Sequence, residues 1–215
     1  MLLMTMVLRP AEPSDAEFLG WACVIATRSQ LSRGWFDIVL RRDDAFVVEF
    51  AKHLTLATAR PWCHWSLFHV AEVDGVAASA MCGFGDESVY AASAAAMAEA
   101  SDKIGIDKEE QAQHWPRGAF ILSAMSSEHG AWTIENVATN PDFRGTGVTQ
   151  ALLEKELDVA RSAGFKRAQV SFLIGNTRAE RAYAKAHFTF AEETRAPEFE
   201  VAMGVPGMRR FARHI

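Results

Sequence analysis

The chain has 215 residues, of which 49% are hydrophobic, and a formal net charge of −5. This length is typical of one domain with a core of its own. The acidic balance argues against nucleic-acid binding, which needs a basic surface, and no apolar stretch approaches the roughly 20 residues of a membrane span.

The three cysteines are an odd number and form no CxxC pair, so neither a disulfide framework nor a zinc knuckle is expected. A reducing, cytoplasmic location follows from this cysteine usage. Cys63, His64 and His69 lack a fourth ligand, and we expect no metal. The opening MLLMTMVL has no basic residue and predicts a first strand, not a signal peptide.

In the N-terminal half, AEPSDAEFLGWACVIA predicts a first helix, and a second covers 44–59, ending before Arg60-Pro61. Two β-rich runs flank Asp74-Gly75, which predicts a hairpin. Residues 86–130 begin with an alanine-rich, helix-prone run, and we interpret them as a helical insertion. Within it, FILSAM fits a strand or a helix equally well.

The C-terminal half alternates strands and helices. AWTIENVAT predicts a strand, NPDFRG a turn and 147–163 a helix ended by Gly164. The apolar spacing of this helix predicts a buried stripe of Val148, Leu152, Leu153, Leu157 and Ala160. RAQVSFLI then predicts a strand, NTRAERAYAKAH a helix, and 188–195 and 207–214 two final strands joined by a loop. The predicted fold class is mixed α/β on one sheet, with βαβα order in this half.

The stretch RGTGVT (144–149) falls between a predicted strand and the helix after it. Gly145 and Gly147 lack a Cβ, so backbone N–H groups there are accessible, and the helix start adds unpaired N–H groups and a partial positive charge. These features predict an anion site, most often for phosphate. The stretch has neither the lysine of a P-loop nor the third glycine of a dinucleotide motif.

This stretch resembles the [RQ]xxGx[GA] signature of the GNAT N-acetyltransferases. NVATNPDFRG, the spacing Asn176-x-x-Ala179-x-x-x-Tyr183, and LRPAEPSDAEFL near the start resemble further parts of that family. The likeness is strong over 131–190, weaker over 1–85 and absent over 86–130. Two positions depart from the pattern: Thr149 stands where Gly or Ala is usual, and His187 replaces the glycine that commonly precedes Phe188.

The resemblance implies the GNAT acyl-CoA N-acyltransferase fold as one domain over 1–215. That fold has a central, mostly antiparallel twisted sheet, with a parallel strand pair at a wedge for CoA and helices flanking the sheet. It also implies acetyl-CoA as co-substrate, held by the strand that forms the wedge, the glycine loop and the helix after the next strand. The implied cofactor-binding residues are Val137, Ala138, Thr139, Arg144, Gly145, Thr146, Gly147, Val148, Thr149 and Asn176. A plain strand–helix turn, and for Asn176 a helix N-cap, are the structural alternatives.

Three residues are implied in catalysis. Glu135 would take the proton of the attacking amine, the Val137 N–H would bind the thioester oxygen, and Tyr183 would protonate the departing thiolate. Without the resemblance, Glu135 is equally consistent with a surface carboxylate and Tyr183 with a packing aromatic. Glu198 and Glu200, in the predicted 195–206 loop, are alternative bases.

The expected function is therefore N-acetyltransfer from acetyl-CoA to a primary amine by direct attack in a ternary complex. The alternatives are a non-catalytic acetyl-CoA sensor or interaction module of the same fold, and a site for another phosphorylated ligand. The expected partner is a small-molecule amine, whose identity no motif indicates. A homodimer is also considered, because an exposed terminal strand can pair with a second copy.

Overall fold

The computed structural model describes residues 5–85 and 87–215. Within them, seven strands form one sheet in the order β1-β2-β3-β4-β5-β7-β6. The strands are β1 (Met6–Pro10), β2 (Phe68–Val73), β3 (Val76–Phe84), β4 (Trp132–Thr139), β5 (Arg167–Leu173), β6 (Thr189–Arg195) and β7 (Gly207–His214). The helices are α1 (Ala16–Arg28), α2 (Trp35–Leu40), α3 (Asp44–Thr55), α4 (Ser88–Ala91), α5 (Ser93–Lys103), α6 (Lys108–Gly118), α7 (Val148–Ser162), α8 (Thr177–Lys185) and α9 (Pro197–Met203).

Neighbouring strands are antiparallel except for β4 and β5, which are parallel. The predicted hairpin is confirmed: β2 and β3 pair up to Val73 and Val76, with Asp74 at φ 51° and Gly75 at φ 81°. Positive φ at both turn residues is what Asp-Gly favours in a two-residue hairpin. The expectation of a mostly antiparallel sheet with one parallel pair is likewise confirmed.

Helices cover both faces of the sheet and enclose two cores. Val70 of β2 belongs to the core under α1, α2, α3 and α5, whereas its neighbour Ala71 belongs to the core under α7 and α8. Since successive strand residues point to opposite faces, these two cores lie on opposite sides of the sheet. The stripe predicted for α7 is confirmed as buried, and all of its members except Ala160 belong to the second core. Its members are Val148, Leu152, Leu153, Leu157 and Ala160.

The described part of the insertion (87–130) is helical, as expected, and is docked on the domain. Ala96, Met97 and Ala100 of α5 join the first core. The Trp35 indole N–H donates to the Gly118 carbonyl at 3.0 Å, which fixes α6 against α2. FILSAM contributes to a 3₁₀ helix over Ala119–Ser123. No helix in the described residues is long and apolar enough to cross a membrane.

In the N-terminal half one predicted boundary is wrong and one helix was not predicted. The second helix ends at Thr55 and not at 59, because the Leu56 and Ala57 N–H groups bond to carbonyls three residues back and Arg60 adopts φ 54°. The short helix α2 was not predicted. The first strand is confirmed from Met6, and residues 1–4 of its predicted span lie outside the described residues.

Two further expectations fail near the C-terminus. The 195–206 loop contains α9, whose buried Phe199 and Met203 pack on Leu173 of β5. The terminal strand β7 is not exposed as an edge, because it pairs with β5 on one side and β6 on the other. The edge strand there is β6, and the argument for a homodimer from β7 is therefore removed.

Candidate active site

The parallel strands β4 and β5 separate about halfway along their length. They pair at Trp132–Ala168, Thr133–Gln169 and Ile134–Val170, yet β4 continues to Thr139 and β5 to Leu173. Beyond Ile134, β4 keeps its antiparallel partner β3 while its other edge has no strand partner in the described structure. The result is a wedge between β4 and β5 with an unpaired strand edge along one wall.

The backbone of β4 presents N–H groups to this wedge. The Asn140 N–H donates to the Ala78 carbonyl of β3 at 2.8 Å. Because N–H directions alternate along a strand, those of Val137 and Thr139 point away from β3 and toward the wedge. Asn136, at φ 52°, accompanies a register irregularity in the β3–β4 pairing. An extended ligand in the wedge would therefore meet β4 as an added strand.

The glycine loop lies at the same end of the sheet, where β4 passes into α7. Gly145 and Gly147 adopt φ 81° and 88°, a region that side-chain-bearing residues rarely occupy, and a Cβ built on either has no atom within 4 Å. Residues 144–147 are exposed, and Gly147 provides no side-chain cap for α7. The first N–H groups of this 15-residue helix are thus available to an anion, with the helix dipole in support.

Not every polar group of the predicted loop is free. The Thr149 hydroxyl lies 2.6 Å from the Thr139 hydroxyl, which lies 3.0 Å from the Ser79 hydroxyl. The Thr146 hydroxyl donates to the Phe143 carbonyl at 2.7 Å. The first two contacts tie the α7 start to β4 and β3, and the third lies within the loop. An anion at the loop would therefore be bound by backbone N–H groups and not by these hydroxyls. The side chain of Arg144 is exposed beside them.

Asn176 begins α8 at the carboxyl end of β5. Its side-chain oxygen accepts from the Ala179 N–H at 3.0 Å, which confirms the N-cap interpretation. Its amide donates to the Ser29 hydroxyl at 2.6 Å, at the end of α1. Both ends of the Asn176 side chain are therefore engaged, and a ligand contact would replace the bond to Ser29.

Glu135 is the first β4 residue beyond the last β4–β5 pair. Its carboxylate is partly buried, and its Oε1 accepts from the Tyr90 hydroxyl at 2.6 Å. Burial raises the pKa of Glu135 above its ordinary value, and the Tyr90 hydrogen bond opposes part of that rise. A carboxylate of raised pKa at the point where the two strands separate accepts a proton more readily than an ordinary glutamate does.

Tyr183 of α8 packs on the part of β5 that lies beyond the last β4–β5 pair. Its ring packs on Phe172, with ring centroids 5.6 Å apart, and on Phe188. It is 8% exposed, and burial raises the pKa of its phenol. No hydrogen bond to its hydroxyl is found within the described residues. Tyr183 is thus both a packing residue and a protonated hydroxyl at neutral pH.

The other candidate groups lie elsewhere. Glu198 and Glu200 are exposed on α9. The two histidines considered as metal ligands have other partners. His69 Nδ1 lies 2.7 Å from the Glu156 carboxylate, and His64 Nδ1 lies 2.8 Å from the Ser66 hydroxyl. Residues 5–85 and 87–215 contain no group of three or more potential metal-ligating side chains.

Tyr90 is the site residue that sequence reasoning did not find. It lies 45 positions from Glu135, within an alanine-rich run that carries no motif. The chain has only two tyrosines, which makes Tyr90 unusual, but this alone does not indicate a contact with Glu135.

Comparison with known proteins agrees with this geometry. The sequence matches the acetyltransferase (GNAT) family over residues 35–188, a range that includes the glycine loop, Glu135 and Tyr183. No curated protein sequence gives a significant match.

Solved structures share the fold. An N-acetyltransferase from Staphylococcus aureus Mu50 superposes with a TM-score of 0.68 at 16% identity, covering 96% of this chain and 100% of that one. An acetyltransferase from Salmonella typhimurium, solved with its cofactor acetyl-CoA, gives 0.56 at 14%, with coverage of 97% and 93%. A Drosophila melanogaster polyamine N-acetyltransferase that forms N-acetylagmatine gives 0.56 at 15%, with coverage of 98% and 100%.

The family match and the splayed β4–β5 pair with its glycine loop lead to one conclusion. The chain belongs to the GNAT acetyltransferase family, and acetyl transfer is its general class of reaction.

Proposed function

We propose that this protein is an N-acetyltransferase that transfers the acetyl group of acetyl-CoA to a small-molecule primary amine, by direct attack in a ternary complex. The observation that carries the proposal is the unpaired β4 edge beyond Ile134, which runs toward the open N-terminus of α7. The β4 edge is complementary to an extended thioester arm, and the α7 N-terminus, which comes after it along the same wall, is complementary to a pyrophosphate.

The residues that would hold acetyl-CoA fit its chemistry. Residues 144–149 suit the pyrophosphate, because they bring backbone N–H groups to the α7 start, at the positive end of a helix dipole, and 144–147 are exposed. Val137, Ala138 and Thr139 offer a strand edge to the pantetheine amides. Asn176, which follows β5, would contribute its side-chain amide by exchanging Ser29 for a ligand oxygen.

When bound, acetyl-CoA supplies the thioester carbonyl that an amine attacks. A primary alkyl amine has a pKa near 10.4 and attacks only when neutral, so Glu135 accepts its proton, directly or through water. The Val137 N–H, which faces the wedge, donates to the carbonyl oxygen as negative charge develops. The Tyr183 hydroxyl, protonated at neutral pH, gives its proton to the leaving sulfur.

The competing function is a non-catalytic acetyl-CoA sensor of the same fold. Such a module would need the glycine loop and the β4 edge but not a base and an acid on the two walls of the wedge. The presence of both Glu135 and Tyr183 in this chain favours an enzyme over a sensor.

The proposal treats 1–215 as a single GNAT domain, in which the insertion shares the first core. It also includes a reducing, cytoplasmic location, supported by three free and buried cysteines. The acceptor is a small molecule and not a nucleic acid, in keeping with the net charge of −5.

The Tyr183→Phe variant tests this function. Thiol release from acetyl-CoA would be followed with a panel of primary amines that begins with agmatine and a polyamine, and CoA binding would be followed by thermal unfolding. We expect turnover to fall by about 10²-fold or more while stabilisation by CoA persists, because only the proton donor is removed. Phe190→Leu, on the exposed edge strand β6, serves as a control with unchanged activity. Full turnover in Tyr183→Phe would refute the acid, and no thiol release with any amine would favour the sensor.

A further inference from the structure

The insertion, which has no counterpart in the sequence motifs of the family, contacts Glu135 through the side chain of Tyr90. The hydroxyl of Tyr90 in α4 donates to Glu135 Oε1 at 2.6 Å. The other carboxylate oxygen, Oε2, receives no hydrogen bond from the described residues. One oxygen of Glu135 is thus anchored by the insertion and the other is left free.

We propose that Tyr90 is a positioning residue: it holds Glu135 Oε1 so that Oε2 points to the incoming amine or its bridging water. The insertion thereby completes the surroundings of the base. This inference rests on the proposed function, in which Glu135 accepts the amine proton.

The ring of Tyr90 is fixed close to Glu135 by the sheet. It packs edge-on against Phe84 of β3, with ring centroids 5.5 Å apart. Phe84 pairs with Thr133 of β4, and Cys82 pairs with Glu135. Phe84, on which the Tyr90 ring packs, therefore lies two residues along β3 from Cys82, the residue opposite Glu135. The Tyr90 hydroxyl spans the distance from that ring to the Glu135 carboxylate.

The insertion that carries Tyr90 is itself held to the domain at several points. The Glu99 carboxylate of α5 accepts from the Thr58 and Ala59 N–H groups at 2.7 and 3.1 Å. Arg117 of α6 donates to the Val39 carbonyl at 3.1 Å. These anchors restrict α4 as well, because α5 follows α4 directly. A hydroxyl donor that is held in place orients a carboxylate more strictly than a water molecule does.

The Tyr90 hydroxyl is the main polar group in contact with the Glu135 carboxylate. The titratable groups that face it are Tyr90 from α4 and Cys82 from β3, whose thiol donates to the Glu135 carbonyl oxygen at 3.4 Å. In the described chain, Glu135 forms no ion pair. Donation by Tyr90 favours the ionised carboxylate, and its removal favours the protonated one.

The test compares Tyr90→Phe with Val89→Ala. Tyr90→Phe keeps the ring against Phe84 and removes only the hydroxyl, whereas Val89→Ala trims packing in the same helical turn and keeps the hydroxyl. Glutamate carboxyl carbons would be labelled with ¹³C and titrated by NMR, with Glu135→Gln identifying the Glu135 signal. We expect the pKa of Glu135 to rise by roughly one pH unit or more in Tyr90→Phe and to stay unchanged in Val89→Ala.

Kinetics separate positioning from mere structural support. With an amine found in the thiol-release screen, the acid limb of the kcat/KM profile should move to higher pH in Tyr90→Phe by the same amount. The KM for acetyl-CoA should not change. An unshifted Glu135 pKa in Tyr90→Phe, or an equal shift in Val89→Ala, overturns the inference.

Glu135→Gln distinguishes failure of this inference from failure of the proposed function. Loss of about 10²-fold or more in its turnover is expected of a base. Full activity would refute Glu135 as the base and the inference with it. An inactive Glu135→Gln together with an unshifted pKa in Tyr90→Phe refutes the inference alone.

Discussion

At the scale of single residues, Glu156 is a carboxylate with no exposed surface in the middle of α7. Its Oε2 lies 2.7 Å from His69 Nδ1, and its Oε1 accepts from the Trp132 indole N–H at 3.0 Å. The carboxylate sits above Gly83, where an added Cβ would lie 1.8 Å from Oε1. A buried charge is tolerated only when it is paired in this way, so Glu156 fixes α7 on β2, β3 and β4.

Glu156→Ala should therefore destabilise the protein by about 3 kcal/mol, because it leaves His69 and Trp132 without their buried partner. Glu154→Ala in the same helix breaks only a partly exposed pair with Arg213, and should cost less than about 1 kcal/mol. Urea denaturation of both variants measures the difference. Equal losses would show that the buried cluster contributes no more than a surface pair.

The residues of the site show what sequence can and cannot indicate. The glycine loop and Tyr183 were predicted because they match motifs of fixed spacing, and Glu135 because the family often carries a glutamate on this strand. Tyr90 was missed because its contact joins a short helix to a strand 45 positions away, and hydrogen bonds over such separations leave no local pattern. The Thr139–Thr149 contact was missed for the same reason.

At the scale of elements, α7 has a left-handed glycine at each end. Gly147 precedes it at φ 88° and Gly164 follows it at φ 89°, and a Cβ on either meets no atom within 4 Å. The two positions therefore carry the same backbone strain for any other residue. Only Gly147 lies at the proposed pyrophosphate site.

Gly147→Ala and Gly164→Ala form a matched pair. Each should lower the free energy of unfolding by about 1–2 kcal/mol, the cost of a left-handed non-glycine residue. Only Gly147→Ala should also weaken CoA binding, by about tenfold or more, because it disturbs N–H groups that face the anion. Calorimetric titration with CoA, alongside urea denaturation, measures both quantities. Equal CoA affinities in the two variants would exclude Gly147 from the site.

Elements were predictable where a local rule was strong. Asp74-Gly75 determined the β2–β3 turn, and the apolar spacing of α7 determined its buried stripe. α2 has only six residues, too few for a helical period to show. α9 was interpreted as a loop although Pro197 opens it and Gly204, at φ 76°, ends it, which is a recognised start–stop pair.

At the scale of the whole molecule, the mixed α/β class followed from the order of the predicted elements, and the GNAT fold followed from the resemblance. Nothing in the local sequence states that β4 and β5 separate after Ile134 and Val170, or that β7 lies between β5 and β6. Those features depend on pairing between strands that are distant in the sequence. They nevertheless determine the wedge, and so the site is a property of the folded chain.

The central claim is that the wedge and glycine loop bind acetyl-CoA, and thermal unfolding tests it most directly. The protein would be unfolded alone and with acetyl-CoA, CoA or ATP. A ligand at 100 times its Kd adds about 2.7 kcal/mol. For a chain of this size we expect a rise in Tm of roughly 5–11 °C with acetyl-CoA and CoA but not with ATP. An unchanged Tm with both CoA forms would contradict the account, and the proposed acetyl transfer would have to be abandoned.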